Sequence, residues 1–215
     1  MDDLKAQFST KSLVLVPIAV GLNLIGGTLC SVLKLPLFLD TVGTFIVATL
    51  SGPWVSALTG LLTNVFLAFV ANPVYLPYAI VSILVGLTAG YMAKAGLFNK
   101  VWGVVLVWLV CSFVNSVSAS LITTFVFGGA TGANGTSVLT AALLVAMQDV
   151  LLSVLSSAFI ENLIDKGITV LIAYMIYRKI PRRFVSQYAS DAIDSGSAAS
   201  DDEVLDEEEV LDEER

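Results

Sequence analysis

"FIENLIDKGITVLIAYMIYRKIPRR", residues 159–183, decides how this chain folds. Its second half is apolar enough for the middle of a lipid bilayer and ends in Arg178, Lys179, Arg182 and Arg183, yet Glu161, Asp165 and Lys166 stand at its head. On a helix rising ~1.5 Å per residue, Glu161 lies about 26 Å from Arg178, and Asp165 and Lys166 lie about 20 and 18 Å from it. With Arg178 at one edge of a bilayer, Glu161 sits near the other edge and the Asp165 and Lys166 pair several Å inside. Glu161 and Asp165 share a face, whereas Lys166 is turned ~100° from Asp165 and lines up with Asn162. Charges at mid-membrane cost on the order of 3 kcal/mol each, so they must face protein or a wet cavity. Two readings stand: an internal ion pair with Lys166 reaching outward, or a polar ligand pocket open to the outside. The pocket reading expects Asp165→Asn to weaken ligand binding much more than folding.

Hydrophobic residues make up 56% of the 215 and charged residues 13%. That is too apolar for one soluble core, and the chain reads as a polytopic membrane protein in contact with lipid. The formal charge of −7 is misleading, because 12 of the 18 acids lie in residues 191–215. The rest carries 10 Lys or Arg against 6 acids, as expected of a membrane body with basic cytoplasmic edges. No basic nucleic-acid patch is visible. Cys30 and Cys111 fall inside apolar runs and histidine is absent, so neither a disulfide framework, a metal site nor a cofactor is expected. "MDDLKAQFSTK" leads into about 22 apolar residues, longer than a signal-peptide core, and reads as a retained span.

Apolar runs place spans at roughly 12–33, 40–51, 54–71, 76–94, 101–127 and 158–178, judged against the ~20 residues needed to cross ~30 Å. The second is short enough to be tilted or partly buried. Between the fifth and sixth come "GGATGANGTS" (128–137), a glycine-rich turn, and "VLTAALLVAMQDVLLSVLSS" (138–157), hydrophobic enough to resemble a seventh crossing. Six crossings put Lys5, Lys11, Lys94, Lys100 and the basic cluster at 178–183 on the cytoplasmic side; seven would put that cluster outside. The expected fold is therefore an all-α membrane protein, a six-transmembrane-helix bundle with N and C termini cytoplasmic. Residues 138–157 form an outer-side helix or a kinked lead-in to the last span. Only Lys34 breaks the pattern, and a lysine at a helix end can snorkel. The domain reading is a cytoplasmic N-terminus (1–11), a six-helix membrane substrate-binding domain (12–183) and an acidic, disordered cytoplasmic tail (184–215). The tail repeats "EVLDEE" at 203–208 and 209–214.

Gly52, Ser56, Gly60 and Asn64 recur every fourth residue, as do Ser82, Gly86 and Gly90. Such stripes let helix backbones approach closely in lipid and point to a compact bundle. In the fifth span Cys111, Asn115, Ala119 and Thr123 lie beside Ser112, Ser116, Ser120 and Thr124, a broad polar face for a membrane helix. Some of these hydroxyls bond their own helix, but the Asn115 amide needs other partners. Further polar groups converge on the level of Glu161, Asn162, Asp165 and Lys166. They are Asp40, then Asn72, Tyr75 and Tyr78 in "ANPVYLPY", then Asn115, Gln148 and Asp149. Aromatics beside a few polar groups suit a small, partly polar, ring-containing ligand.

"LPLFLDTVGTFIVATLSGPWVSALTGLLTN" (35–64), "ILVGLTAGYMAKAGLF" (83–98) and "ENLIDKGITVLIAYMIYRKIP" (161–181) together resemble the substrate-binding S components of energy-coupling factor (ECF) transporters, over roughly residues 12–183. The resemblance implies a multi-pass protein of the prokaryotic plasma membrane that holds a vitamin or related micronutrient near its outer face. It also implies partners: a transmembrane coupling subunit and a pair of ABC-type ATPases that hydrolyse the ATP. By position, 72–78 would be a lid, and Asn115, Glu161, Asp165 and Lys166, with Asp40, would contact ligand. Family members commonly dock the coupling subunit through two alanines four apart in the first span. Here "VPIAVGLNLIGG" (16–27) offers Ala19 with Asn23, and Pro17 with Gly21, as coupling contacts.

The chain shows no nucleophile-base constellation, phosphate loop or ATPase motif, so it reads as a transport subunit and not an enzyme. A membrane ligand sensor and an autonomous secondary transporter are the alternatives, the latter disfavoured by the lack of an internal repeat in the membrane body. The substrate expectation is a pyridoxine-like or hydroxymethylpyrimidine-like ring compound, with riboflavin, queuosine precursors and cobalamin open.

Overall fold

A computed structural model describes residues 7–132 and 135–181. The tail with its repeats, Arg182 and Arg183, and the first six residues with Lys5 lie outside the described residues. Among the described residues there are seven α-helices and no strand: α1 Thr10–Val32, α2 Val42–Ser51, α3 Pro53–Val70, α4 Ala79–Lys94, α5 Val101–Phe125, α6 Thr136–Met147 and α7 Val150–Lys179. Only α1, α3 and α5 are both long and apolar enough to cross a membrane by length and composition. The 30-residue α7 is long enough but carries Glu161, Asp165 and Lys166 in its middle.

The short second element is the centre of the bundle. At ~1.5 Å per residue the ten residues of α2 rise about 15 Å, half of a hydrocarbon core. Seven of the ten are buried, against α1, α3, α4 and α7. Gly43 lets α2 touch α1, since a Cβ there would lie 2.3 Å from the Ala19 carbonyl oxygen. Gly52, at φ 86°, breaks the chain between α2 and α3 in a conformation open to glycine, and Pro53 starts α3 at a position where its missing N–H costs nothing.

The two small-residue stripes face each other across the α3 and α4 contact. A Cβ on Gly60 would stand 2.6 Å from the Ser82 carbonyl oxygen, one on Gly86 2.8 Å from the Ala57 nitrogen, and one on Gly90 2.2 Å from the Pro53 Cα. Asn64 Nδ2 donates to Ser82 Oγ and closes this seam with a polar clasp. Along α5 the serine face meets α7: Ser112 Oγ donates to the Asn162 carbonyl (3.2 Å), Ser116 Oγ to that of Ala158 (3.1 Å) and Trp108 Nε1 to that of Leu163 (2.7 Å).

Residues 138–157 do not form one unit. α6 ends at Gln148, whose φ of 55° reverses the chain, and Asp149 caps α7 by accepting from the Leu152 N–H at 2.8 Å. The last helix thus begins at 150 rather than 158. α6 folds back on its first turns as a hairpin, with Thr140 Oγ1 and Ser157 Oγ 2.7 Å apart.

Candidate ligand cavity

The connections at one end of the bundle, the α6 and α7 hairpin and α5 surround a cavity of ≈ 800 Å³ of non-atom space, open solvent at its mouth included. Chain direction fixes where it lies. α1 and α3 run towards it, α4 and α7 run away from it, and Lys11, Lys94, Lys100, Arg178 and Lys179 therefore gather at the opposite end. Lys34 stays at the cavity end, where its Nζ donates to the Gly132 carbonyl at 3.3 Å.

Of the residues singled out in the sequence, Asp40, Tyr75, Tyr78, Asn115, Glu161, Asn162 and Lys166 line the cavity. Asn115 Nδ2 donates to Asn162 Oδ1, and Asn162 Nδ2 donates to the Ala158 carbonyl at 2.8 Å, so α5 and α7 share one amide chain. Tyr78 shares a 2.6 Å hydroxyl contact with Thr123 and stacks on Phe127 at 5.9 Å, tying the start of α4 to the end of α5. Tyr75, in a 3₁₀ turn between α3 and α4, is buried. Burial, and then the Asp40 carboxylate, push its phenol up to about 12, which keeps it a neutral hydrogen-bonding group.

Asp165 is fully buried and does not line the cavity. Its Oδ1 accepts the backbone N–H groups of Phe38 (2.9 Å) and Leu39 (2.8 Å), and its Oδ2 takes a 2.8 Å bond from Lys166 Nζ. Lys166 also donates to Thr41 Oγ1 at 3.1 Å and stands 3.9 Å from Asp40 Oδ1. Asp165 and Lys166 form an internal ion pair whose ammonium is buried rather than reaching outward, and Lys166 and Glu161 line the cavity while Asp165 lies behind its wall.

Asn72, Gln148 and Asp149 stand away from the cavity wall. Asn72 caps the 3₁₀ turn by accepting from the Val74 N–H, Asp149 caps α7, and Gln148 makes the reversal before it. The proposed coupling contacts divide. Pro17 is exposed, and nothing lies within 4 Å of a Cβ built on Gly21. Ala19 and Asn23 face inward, and Asn23 is wholly engaged: its Nδ2 donates to Thr44 and Thr63 at 3.0 Å each, and its Oδ1 accepts the Gly43 N–H at 2.7 Å.

The cavity also takes in Phe38, Asn64, Ser82, Thr140, Ser157 and the loop at Gly129–Thr131. Asn64 and Ser82 stand out in the sequence only as stripe members. Thr140 and Ser157 carry a weak signal, polar residues in an apolar run, which becomes informative once the hairpin brings them together.

Residues 11–177 match the family of ECF transporter substrate-specific components. No curated protein and no solved structure matches the chain. A membrane-suited all-helical body and a match over more than three quarters of the 215 residues agree: the chain belongs to the ECF transporter substrate-specific component family.

Proposed function

We propose that this membrane protein captures a vitamin or related small micronutrient from outside a prokaryotic cell and delivers it inward with a coupling subunit and two ATPases. It is a substrate-binding transport subunit, and no ATPase motif occurs in its sequence. The observation that carries the reading is the polar cavity at the bundle end opposite Lys11, Lys94, Lys100, Arg178 and Lys179. By the positive-inside rule the basic end is cytoplasmic and the cavity opens outward.

In this topology α1, α3, α4, α5 and α7 cross the bilayer, and α2 crosses together with the non-helical stretch 35–41. Six passages leave both termini in the cytoplasm and place the α6 hairpin on the outer side. The coupling subunit docks on the outward face of α1 at Pro17 and Gly21, while Ala19 and Asn23 hold that helix to the core. A neutral or zwitterionic ring compound, pyridoxine-like or hydroxymethylpyrimidine-like, suits the amides, hydroxyls and Tyr75 and Tyr78 around the cavity.

The test is co-expression with a coupling subunit and its ATPase pair. A complex that survives purification and takes up ligand only with hydrolysable ATP supports the reading. A chain that never associates with them, or that transports unaided, overturns it.

A further inference from the structure

The polar groups of the cavity satisfy one another almost completely. Asn64 bonds Ser82, Asn115 bonds Asn162, Tyr78 meets Thr123 and Thr140 meets Ser157. Lys166 is held by Asp165, Thr41 and Asp40. Among the described residues only Ser51 Oγ, Thr124 Oγ1 and Glu161 Oε1 are buried polar atoms without a hydrogen-bond partner. Of these three, Glu161 alone lines the cavity, and it is 5% exposed. A carboxyl oxygen held out of water with nothing to accept is costly to the empty protein, and a ligand donor would relieve that cost.

Charge gives the same answer independently. Around the cavity floor stand three carboxyl groups, Asp40, Glu161 and Asp165, and one ammonium, Lys166. That ammonium is engaged by the chain itself, with Asp165, Thr41 and Asp40 around it, while the Glu161 carboxyl stands outside this cluster and lines the space.

We infer that the substrate is a small ring compound bearing a cationic nitrogen with at least one N–H, and that Glu161 is the residue that selects it. The inference rests on the reading of the cavity as the substrate site and narrows its ligand class. The ring lies among Tyr75, Tyr78 and Val81, and the nitrogen donates to Glu161 Oε1 in a charge-assisted bond, the strong kind. An anionic ligand meets carboxylates and is rejected.

The experiment measures dissociation constants of the purified chain for compounds that share a ring and differ in one group. Pyridoxamine, pyridoxine and pyridoxic acid carry an amine, an alcohol and a carboxylate, and aminomethylpyrimidine is paired with hydroxymethylpyrimidine. The amine of a bound pair should be tighter by about tenfold or more, the acid weakest, and Glu161→Gln should bring the amine-to-alcohol ratio close to one. Glu161→Asp, which keeps the charge, should retain part of the preference. Tighter binding of the alcohol or the acid, a ratio unchanged in Glu161→Gln, or no binding of any member overturns the inference. If Glu161→Gln does not fold, the wild-type ranking decides alone. Complex formation with the coupling subunit is scored separately, so a wrong ligand class and a wrong transporter reading give different results.

Discussion

Asp165 accepts the backbone N–H of Leu39 at 2.8 Å across 126 residues of sequence, and Leu39, the donor, sits at a φ of 48°. A non-glycine residue in the left-handed region is uncommon and needs support from its surroundings. Here the support is one carboxylate, together with Gly26, whose missing Cβ leaves room for the Leu39 carbonyl oxygen.

Replacing Asp165 by alanine should therefore lower stability by about 3–5 kcal/mol, since it strands two amide N–H groups and leaves Lys166 with only Thr41 and the more distant Asp40. Asp165→Asn should cost less, because its amide oxygen still accepts from the loop. Thermal unfolding in detergent measures both. Because Asp165 lies behind the cavity wall, binding and folding should fall together in these variants; binding lost from a fully stable Asp165→Asn protein would return the residue to direct ligand contact.

The outward and inward faces of α1 should separate cleanly. Gly21→Leu should leave the melting temperature of the isolated chain unchanged and reduce the amount of coupling subunit that co-purifies. Asn23→Ala should cost about 1–3 kcal/mol by orphaning the Gly43 N–H and two threonine hydroxyls. A destabilised Gly21→Leu protein would contradict the open space seen around that residue.

Glycines 60 and 86 set the spacing of α3 and α4. Adding a single methyl in Gly60→Ala or Gly86→Ala should destabilise by about 1–3 kcal/mol, because backbone atoms of the facing helix must move. Gly21→Ala, with nothing to strike, should be neutral or stabilising by up to ~1 kcal/mol. Equal melting temperatures in all three proteins would mean that the two stripes do not touch.

Tyr78→Phe should weaken closure of the cavity. Removing the hydroxyl ends the Thr123 contact while keeping the ring on Phe127, so bound ligand should dissociate several-fold faster with little change in stability, about 1 kcal/mol. Stopped-flow release of a bound ligand reads this directly, and an unchanged off-rate would mean that the Tyr78–Thr123 contact does not hold the cavity closed.

The helical class and the order of the elements were legible because apolar runs, their Gly and Pro borders and the four-residue stripes are local patterns. The stripes at Gly60 and Gly86 announced close helix approach, though not that they face each other. What a local pattern cannot carry is a partner distant in sequence, so Asp165 looked like a ligand contact although its role is to hold residues 38 and 39. Gln148 and Asp149 drew attention as polar groups in an apolar run, when their polarity serves a reversal and a cap. The ten residues of α2 read as a short crossing, and only packing against four other helices reveals them as the hub.

The division of labour between Glu161 and Asp165 also bears on how such a protein can diversify. One turn of α7 separates the carboxylate that opens into the cavity from the one that fastens the 38–39 backbone. If Glu161 selects the cargo as inferred, a descendant that exchanges it would acquire a new cargo while Asp165 keeps the scaffold intact, and evolvability and integrity would be assigned to adjacent turns of a single helix.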